Sequence, residues 1–580
     1  MDMVNVKVNG IAVSVPKGST ILEAAHAAGV EIPTLCYLKD INEIGACRIC
    51  VVEATGARGL VTACVYPVAE GMEIQTNTDK VRAARKTTLE LILSTHEKKC
   101  LSCVRSTNCE LQKLCLDYGV EDNGKYDGFH PEYALDESAP HMIRDNNKCI
   151  LCRRCVAACQ QQFVSVIGAN DRGIDTHIAC AFEKPLGDVP CVSCGQCINV
   201  CPTGALREKD NTAEVFEALS DPDKIVLVQT APAVRAAIGE EFGLPIGTPC
   251  EGKMVAALRR LGFDKVFDTD FGADMTIVEE ATELVDRVKN GGVLPMITSC
   301  SPGWVKFAEL YYPDQLANLS TCKSPQQMFG AILKTYYAEK NGIDPRNIVS
   351  VSVMPCTAKK FELTREDEDA AGMPDVDISI TTRELARMIR RAGLNFTALP
   401  DEEFDMPLGA DTGAAVIFGA TGGVMEAALR TANDVLTGKD NGSVDFTEVR
   451  GMEGLKEATY NIAGLEVKVA VASGLTAANH VMSMIKDGTA PWTFVEIMCC
   501  PGGCINGGGQ PIVPAVVRNF ENYRAKRAKV LYDMDRDMPL RKSHQNPMVV
   551  EIYKDYFESF GSHKAHEVLH THYTARKKFR

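Results

Sequence analysis

The stretch 495–511, VEIMCCPGGCINGGGQP, constrains the fold of this chain more than any other part of the sequence. The apolar run from Phe494 to Ile497 predicts the end of a buried strand, which would carry Cys500 and Cys504 into a tight turn. The glycines at 507, 508 and 509 have no side chains, so we expect the backbone to pass close to a bulky neighbour there. A flexible turn would not explain the cysteines and the glycines together, and the pattern therefore indicates a binding site.

Two other apolar runs end in cysteine loops of the same layout. Residues 292–297 lead into TSCSPGW at 298–304, and residues 347–353 lead into MPCTAKKFE at 354–362. Ligands of open α/β sheets bind beyond the carboxyl ends of the parallel strands. We therefore expect the three loops to meet at one site.

The three loops together resemble the metal-binding loops of iron-iron hydrogenases, which produce or oxidise hydrogen. The resemblance implies an H-cluster, in which a [4Fe-4S] cube is bridged by a cysteine to a di-iron unit that carries carbon monoxide, cyanide and a dithiolate. We expect the cube to be held by Cys300, Cys356, Cys500 and Cys504, and by the same resemblance Cys504 provides the bridge. Thiolates are ligands that suit soft iron.

The resemblance covers essentially the whole chain and implies a multidomain α/β and α+β fold. Ferredoxin-like iron-sulfur modules would precede an α/β catalytic domain with parallel sheets. We predict five parts: a [2Fe-2S] plant-type ferredoxin-like domain (1–78), a [4Fe-4S] domain with one histidine and three cysteine ligands (79–125), a two-[4Fe-4S] bacterial ferredoxin-like domain (126–210), the catalytic domain (211–535) and a small-subunit-like C-terminal segment (536–580).

Local patterns support this division at several points. Alternating valines on either side of Asn9-Gly10 predict a hairpin with a two-residue turn. Thr20 and Glu23 have the spacing of a capping box that opens a helix. Residues 210–223 are charged and rich in turn-forming residues, and they predict a linker before the catalytic domain.

Composition narrows the class of function. The chain has 580 residues, 24 of which are cysteine, and a formal net charge of -14. This acidity argues against nucleic acid as a partner. We find neither a membrane-spanning run nor a signal peptide in the sequence and expect a cytoplasmic protein without membrane insertion. Because cytoplasmic thiols are kept reduced, grouped cysteines predict metal sites rather than disulfides.

Four cysteines near the N-terminus, Cys36, Cys47, Cys50 and Cys64, resemble the ligands of the [2Fe-2S] domain found in hydrogenases and in the electron-input subunit of respiratory complex I. Zinc is the alternative, since four thiolates also suit it. The next group, His96, Cys100, Cys103 and Cys109, has a spacing that fits a zinc site of three cysteines and one histidine equally well. In the resembled family this signature binds a [4Fe-4S] cluster with one imidazole ligand.

A repeated Cys-x2-Cys-x2-Cys-x3-Cys pattern follows, and it is the spacing of bacterial two-cluster ferredoxins. In that pattern the fourth cysteine of each run serves the other cluster. One cube is therefore expected on Cys149, Cys152, Cys155 and Cys201, and the other on Cys191, Cys194, Cys197 and Cys159. The remaining thiols are expected in the core or without a role: Cys115, Cys180, Cys250, Cys322 and Cys499.

The resemblance also implies a wall of cofactor-contacting residues: Pro232, Ala233, Gln326, Met354, Lys359, Phe418, Gly419 and Met498. Lys359 is expected to pair with a cyanide, while either methionine taken singly would be ordinary core. The glycine-rich turn at 417–423 could alternatively cradle a phosphate, although no Lys-Ser pair or dinucleotide fingerprint accompanies it.

The first loop departs from the family pattern. Many members have two consecutive cysteines there, one for the cube and one for proton transfer, whereas this chain has Cys300 followed by Ser301. Strict position would make Ser301 the ligand. Chemistry favours Cys300 as the ligand and Ser301 as the proton carrier, because a serine oxygen is a hard, weakly acidic donor.

A proton path is expected along the helix predicted at 276–290, where Glu280, Glu283 and Arg287 share one stripe. Together with Ser320 they match the family's relay from the di-iron unit to the surface. A buried carboxylic acid with a raised pKa can pass on a proton. The alternative is a solvated helix face with an ion pair between Glu283 and Arg287.

The predicted function is reversible hydrogen oxidation with electrons relayed through three accessory [4Fe-4S] clusters and one [2Fe-2S] cluster. The sequence contains no Rossmann fingerprint, so we expect NAD to be reached through NAD- and flavin-binding hydrogenase subunits, with ferredoxin as a further carrier and electron bifurcation as an option. Alternatives are a stand-alone ferredoxin hydrogenase and a non-catalytic hydrogenase-like sensor, iron-sulfur assembly protein or electron-transfer subunit.

Overall fold

A computed structural model describes residues 2–121, 124–126, 128–437, 439–440, 442, 444–451, 454–462 and 465–579. The N-terminal region forms a five-stranded sheet with the spatial order β2-β1-β5-β3-β4. Its strands are β1 (Met3–Val8), β2 (Ile11–Pro16), β3 (Val51–Ala54), β4 (Val61–Thr62) and β5 (Glu73–Gln75). The predicted hairpin and capping box are both confirmed, because Val8 pairs with Ile11 and Thr20 exchanges hydrogen bonds with Glu23.

Two small two-stranded sheets carry the ferredoxin-like region. They consist of β6 (Met142–Arg144) with β9 (Leu206–Glu208), and β7 (Gly168–Asn170) with β8 (His177–Ala179). The helices up to this point are α1 (Ile21–Ala27), α2 (Asp79–Leu93), α3 (Glu110–Asp117), α4 (Arg154–Gln161) and α5 (Gln196–Asn199).

The catalytic region is built on two four-stranded sheets. The first is entirely parallel, has the order β11-β10-β13-β14, and consists of β10 (Ile225–Thr230), β11 (Lys265–Asp268), β13 (Ile348–Met354) and β14 (Ile378–Thr381). The second has the order β12-β17-β16-β15 and consists of β12 (Met296–Ile297), β15 (Gly454–Ile462), β16 (Leu465–Ser473) and β17 (Phe494–Met498). In the second sheet β15 runs antiparallel to β16, and the other pairs are parallel.

The remaining helices cover these sheets. They are α6 (Thr212–Ser220), α7 (Pro232–Arg235), α8 (Glu251–Leu261), α9 (Thr269–Asn290), α10 (Pro302–Tyr311), α11 (Pro325–Ile332), α12 (Ala338–Asn341), α13 (Ala358–Glu362), α14 (Thr382–Arg391), α15 (Gly413–Val416), α16 (Gly423–Thr437), α17 (Leu475–Lys486), α18 (Ala515–Arg518), α19 (Tyr523–Asp537), α20 (Pro547–Ile552) and α21 (His563–Leu569). None of the described helices combines the length and the apolar character needed to cross a bilayer.

Helix α9 lies between the two sheets. Met275 and Val278 pack into a core that includes Leu227 of the first sheet, whereas Ile277 and Leu284 pack into a core that includes Val469 of the second. Its first half is buried on every side, and this is why the amphipathic pattern at 276–290 reveals only the second half of the helix.

The three cysteine loops follow strands of two different sheets, because β13 lies in the first sheet while β12 and β17 lie in the second. One sequence-based expectation is corrected by this architecture. The segment at 210–223 is not an open linker, because most of it folds into α6, whose Val215 is fully buried in the core of the first sheet. The glutamates of that helix lie on its exposed face.

A buried carboxylate joins β17 to the start of α16. Glu496 is fully buried, and its two carboxylate oxygens accept hydrogen bonds from the backbone N–H groups of Gly422 and Met425, both at 2.7 Å. Burial raises the pKa of Glu496 to about 7, while these backbone donors act in the opposite direction. The side chain thereby fixes the glycine-rich turn, because free N–H groups at a helix N-terminus favour an acceptor of this kind.

We expect Glu496→Gln to accelerate amide hydrogen exchange at Gly422 and Met425 by about 10- to 100-fold. The reason is that one of the two N–H donors would face an amide NH2 instead of a carboxylate, and a hydrogen bond to a charged group contributes about 1.5–3 kcal/mol. Mass spectrometry of the peptide covering 419–427 measures the change. Glu466→Gln, in an exposed ion pair with Lys468 on the same sheet, is the matched control and should leave that peptide unchanged.

Candidate active site and iron-sulfur sites

The three cysteine loops meet at one cavity, which lies between the two sheets of the catalytic region. Cys300, Cys356, Cys500 and Cys504 all line it, and each is placed there by a loop that follows β12, β13 or β17. The empty space among the lining residues is about 810 Å³, including open solvent at the mouth. Thiols from separate strands thus reach one chamber.

The glycines of the third loop allow this convergence. A Cβ on Gly507 would lie 2.1 Å from the carbonyl oxygen of Pro355, and one on Gly508 would lie 2.5 Å from that of Cys194. Either contact is far below a van der Waals distance. The predicted close approach is therefore present, and it occurs both at the second loop and at the ferredoxin-like region.

One carboxylate organises the polar side of the cavity. Glu362 accepts hydrogen bonds at a single oxygen from Lys359 Nζ at 3.0 Å, from Gln326 Nε2 at 2.7 Å and from Ser324 Oγ at 2.9 Å. Lys359 Nζ also donates to the carbonyl oxygen of Cys300 at 3.3 Å. Lys359 and Glu362 are both buried, so the carboxylate supplies the counter-charge that lets the ammonium group stay inside.

The rest of the cavity wall is largely apolar. It includes Pro232, Met354, Phe418, Gly419 and Met498, all of which were expected there. Ala233 lies one layer further back, since its Cβ faces Gly419 and its carbonyl oxygen accepts a hydrogen bond from Gln510 at 2.7 Å. An apolar wall of this kind keeps water away from a bound group.

A line of protonatable groups leaves the cavity on the side of Cys300. Glu280 is buried, and neither of its carboxylate oxygens has a hydrogen-bond partner among the described residues. Burial raises the pKa of Glu280 to about 8, and the nearby charge of Glu283 adds to the increase. Glu280 in turn raises the pKa of the Cys300 thiol, for which burial is the larger cause. These groups are therefore close enough to influence one another.

The line continues outward through Glu283. Its Oε2 accepts the hydroxyl of Ser320 at 2.9 Å, and its Oε1 pairs with Arg287 Nη2 at 2.5 Å. The expected ion pair is thus present, but the interpretation as a solvated face is wrong, because the side chains of Glu283 and Arg287 are only 11% and 12% exposed. Arg287 also donates to the carbonyl oxygen of Leu319 at 2.8 Å.

The accessory cysteines are grouped as the spacing predicts. The thiols that act electrostatically on Cys155 are chiefly Cys152, Cys149 and Cys201, and those that act on Cys197 are chiefly Cys194, Cys191 and Cys159. Near the N-terminus, Cys50 Sγ and Cys64 Sγ lie 3.3 Å apart, and Cys36 Sγ accepts the N–H of Cys47 at 3.5 Å. Each set contains the thiolate donors that an iron-sulfur cluster requires.

His96 has the features of a ligand in the group that it forms with Cys100, Cys103 and Cys109, called the His96 site below. Burial lowers its pKa, which favours the neutral imidazole that binds metals, and its Nδ1 is buried without a hydrogen-bond partner among the described residues. Cys103 packs against Gly204, because a Cβ added to Gly204 would lie only 2.6 Å from Cys103 Sγ. The donor sets at all these sites fit iron-sulfur clusters.

Two groups in the site have no clear signal in the sequence. Glu362 belongs to the second loop, but two of its three partners, Ser324 and Gln326, lie 38 and 36 positions earlier in the chain. Cys499 lines the cavity beside Cys500 although it was expected to be a spare thiol. The sequence signal for its position is that Cys499 directly precedes the predicted ligand Cys500.

The family comparisons agree along the chain. Residues 224–508 match the iron only hydrogenase large subunit, C-terminal domain, and residues 521–576 match the iron hydrogenase small subunit. Residues 1–79 match the 2Fe-2S iron-sulfur cluster binding domain, residues 85–123 the NADH-ubiquinone oxidoreductase-G iron-sulfur binding region, and residues 148–205 the 4Fe-4S dicluster domain.

Individual relatives extend the similarity to the full length. The NADP-reducing hydrogenase subunit HndD of Solidesulfovibrio fructosivorans is 50% identical, and the alignment covers 100% of both chains. Iron hydrogenase 1 of Clostridium pasteurianum is 44% identical over 98% of this chain and 100% of its own. A solved [FeFe]-hydrogenase structure, HydA(deltaEFG), is 42% identical with a TM-score of 0.57, and the match covers 63% of this chain and 99% of that one.

We expect His96→Ala to lower the iron content by about four atoms per chain, because a buried imidazole nitrogen that binds a cluster iron would be lost. His96→Cys should retain the iron, since a thiolate can replace the imidazole, and should shift the reduction potential of that cluster. Iron and acid-labile sulfide assays, together with EPR of the reduced protein, measure both effects. Full iron content in His96→Ala would remove His96 from the ligand set.

Proposed function

The chain belongs to the iron-only hydrogenase family, whose catalytic subunits oxidise hydrogen or reduce protons, and from this premise we propose how its residues share that reaction. The observation that carries the proposal is the position of one cavity. It is lined by the cube thiols, it lies beside Glu280, and it is lined by Cys194 of the ferredoxin-like region. Protons and electrons can therefore leave the same chamber by different sides.

The cofactor is held and oriented by the walls of the cavity. Cys356, Cys500 and Cys504 would supply thiolates to the cube, and Lys359 and Gln326, both fixed by Glu362, would offer N–H donors to the di-iron unit. When bound, the di-iron unit supplies the redox metal at which hydrogen is split or formed. The apolar wall excludes water around it, through Pro232, Met354, Phe418, Gly419 and Met498.

Proton transfer is assigned to the line that begins at the first loop. Glu280 is protonated near neutral pH because its pKa is about 8, so it can both give and accept a proton close to physiological pH. Glu283 and Ser320 connect it to the protein surface, and Arg287 holds Glu283 in place. Ser320 and the backbone of Ser299 are the groups near the Glu280 carboxyl that can exchange a hydrogen bond with it.

Electrons travel along a branched series of clusters. Asn42 donates from one amide nitrogen to the carbonyl oxygens of Cys36 at 2.8 Å and Cys152 at 3.0 Å, so the [2Fe-2S] site adjoins the first ferredoxin-like cube. Arg105 donates to the carbonyl oxygen of Cys201 at 2.9 Å, so the His96 site adjoins the same cube. Electrons could thus enter at either of two sites and reach the same cube. This arrangement fits a chain that exchanges electrons with two carriers.

The partners that we infer are an NAD(P)-binding flavoprotein subunit and ferredoxin. The full-length similarity to a subunit of an NADP-reducing hydrogenase supports the first partner. The surface of the His96 site also supports docking, because Cys100 is exposed and is followed by Leu101, whose side chain is fully exposed. Most of the 24 cysteines are grouped for metal binding, and this supports a reducing compartment such as the cytoplasm. A stand-alone ferredoxin hydrogenase remains the second candidate, supported by the similarity to iron hydrogenase 1.

Glu280→Gln should lower hydrogen evolution from reduced viologen by at least about 100-fold, since an amide cannot release a proton and general acid-base groups contribute about 10²–10⁴-fold. Iron content and the infrared bands of carbon monoxide and cyanide should stay unchanged. Asp286→Asn, on the exposed face of the same helix, is the matched control. Unimpaired turnover in Glu280→Gln would remove this residue from the proton path.

Leu101→Glu tests the docking surface. A buried charge at an apolar contact weakens binding, so we expect the hydrogen-dependent reduction of NAD(P) by the reconstituted multisubunit enzyme to fall about tenfold. Viologen reduction by the same preparation should be unaffected, because a small carrier needs no docking face. Val550→Glu, an exposed apolar residue of the C-terminal segment, serves as the comparison. Equal losses in both assays would contradict docking at Leu101.

A further inference from the structure

Cys499 has a position that its sequence context does not explain. It follows the last residue of β17, is only 3% exposed, and lines the same cavity as Cys500. It lies in the core against which Cys194 packs, and Cys194 lines the cavity as well. It therefore belongs to a cluster of sulfur atoms between the ferredoxin-like region and the active-site cavity.

The first loop leaves room for this thiol. A Cβ on Gly303 would lie 2.8 Å from Cys499 Sγ, so the glycine is what admits the sulfur. The hydroxyl oxygen of Ser301 accepts the backbone N–H of Cys499 at 3.3 Å. Ser301 and Cys499 thus lie against each other at the place where the first and third loops meet.

Cys300 lies on a different side of the loop. Cys300 packs against the core that contains Ala273 and Ile277 of α9, the helix that carries Glu280, and its carbonyl oxygen accepts a hydrogen bond from Lys359 at 3.3 Å. Cys499 lies in a different core, against which Cys194 packs. Cys300 is therefore on the side of α9 and its proton path, whereas Cys499 is on the side of the ferredoxin-like region.

The number of ligands that the cube needs decides between Cys300 and Cys499. A [4Fe-4S] cube is held by four ligands, and thiolate is a better match for its iron than the hydroxyl of Ser301. Cys194 is already a member of the second ferredoxin-like set. If Cys300 completed the active-site cube, Cys499 would be a buried, cavity-lining thiol without a function beside two clusters.

We propose that Cys499 is the fourth thiolate ligand of the active-site cube and that Cys300 carries protons to and from Glu280. The proposal rests on the proposed function and replaces the sequence-based assignment of Cys300 to the cube and of Ser301 to proton transfer. Ligation exchanges the S–H bond of Cys499 for an S–Fe bond, and the thiol proton passes to solvent as the cube is assembled. Ser301 is a positioning residue that holds the N–H of Cys499.

The test uses the full chain produced without the machinery that builds the di-iron unit, so that the cube is assessed independently of activity. Cys499→Ala should either lose about four iron atoms per chain or show a three-iron EPR signal, as should the reference variant Cys356→Ala. Cys300→Ala and Ser301→Ala should keep the iron content and the EPR spectrum of the intact chain. The signals of the accessory clusters in each sample report whether the variant has folded.

A second variant separates ligation from damage to the fold. Adding Ser301→Cys to Cys499→Ala places a thiol beside the vacated position and should restore the iron and the cube spectrum. The proposal is overturned if Cys499→Ala retains the complete cube, in which case Cys499 is a hydrogen-bonding link between Cys194 and Cys500, or if Cys300→Ala loses the cube. Infrared bands of carbon monoxide and cyanide in the matured unaltered chain test the hydrogenase function separately, whatever the outcome for Cys499.

Discussion

Close packing between backbones is the constraint on which the active site depends. The third loop approaches the carbonyl oxygens of Pro355 and Cys194 so closely that no side chain fits at Gly507 or Gly508. Gln196 strengthens this contact, because its side-chain amide donates to the carbonyl oxygen of Asn506 at 2.8 Å. Loops that belong to two sheets and to the ferredoxin-like region are thereby joined into one rigid unit. Electron transfer between neighbouring clusters needs short and constant distances, and this packing supplies them.

Buried charge around the cavity is almost entirely paired. Glu362 faces Lys359, Glu496 faces backbone N–H groups, and Arg383 donates to Glu208 at 2.7 Å and to the carbonyl oxygen of Gly508 at 2.7 Å. Unpaired charges in a dry interior are costly, so each pair restricts the positions that its members can take. Glu280 is different because its oxygens have no partner among the described residues. A buried acid whose oxygens lack hydrogen-bond partners does not stabilise the fold. Its presence is therefore explained by function rather than by stability.

The sequence predicts those features whose cause is local. Cysteine spacing, the capping box at Thr20 and the glycines of the third loop are each set by a few consecutive residues, and the structure contains the expected geometry at each. It could not predict features that depend on distant partners. Val215 becomes core only because a sheet passes beneath α6, and Glu496 becomes a cap only because Gly422 begins a helix across from it. The position of Cys499 also depends on distant partners. The sequence pattern of a buried strand does not reveal which thiol or loop will contact the residue that follows it.

The C-terminal segment determines which of two adjacent carboxylates of α9 is directed toward the cysteine loops. Glu279 and Glu280 are adjacent and both buried, but Glu279 is held by Tyr553, by the N–H of Gly561 at 3.1 Å and by His570 Nε2 at 3.0 Å. All three partners come from the residues that follow α19. Successive residues of an α-helix differ by about 100° around its axis, so fixing Glu279 against the C-terminal segment turns Glu280 away from it and toward the cysteine loops. The segment that resembles a small subunit therefore orients the proton path, although none of its described residues lines the cavity.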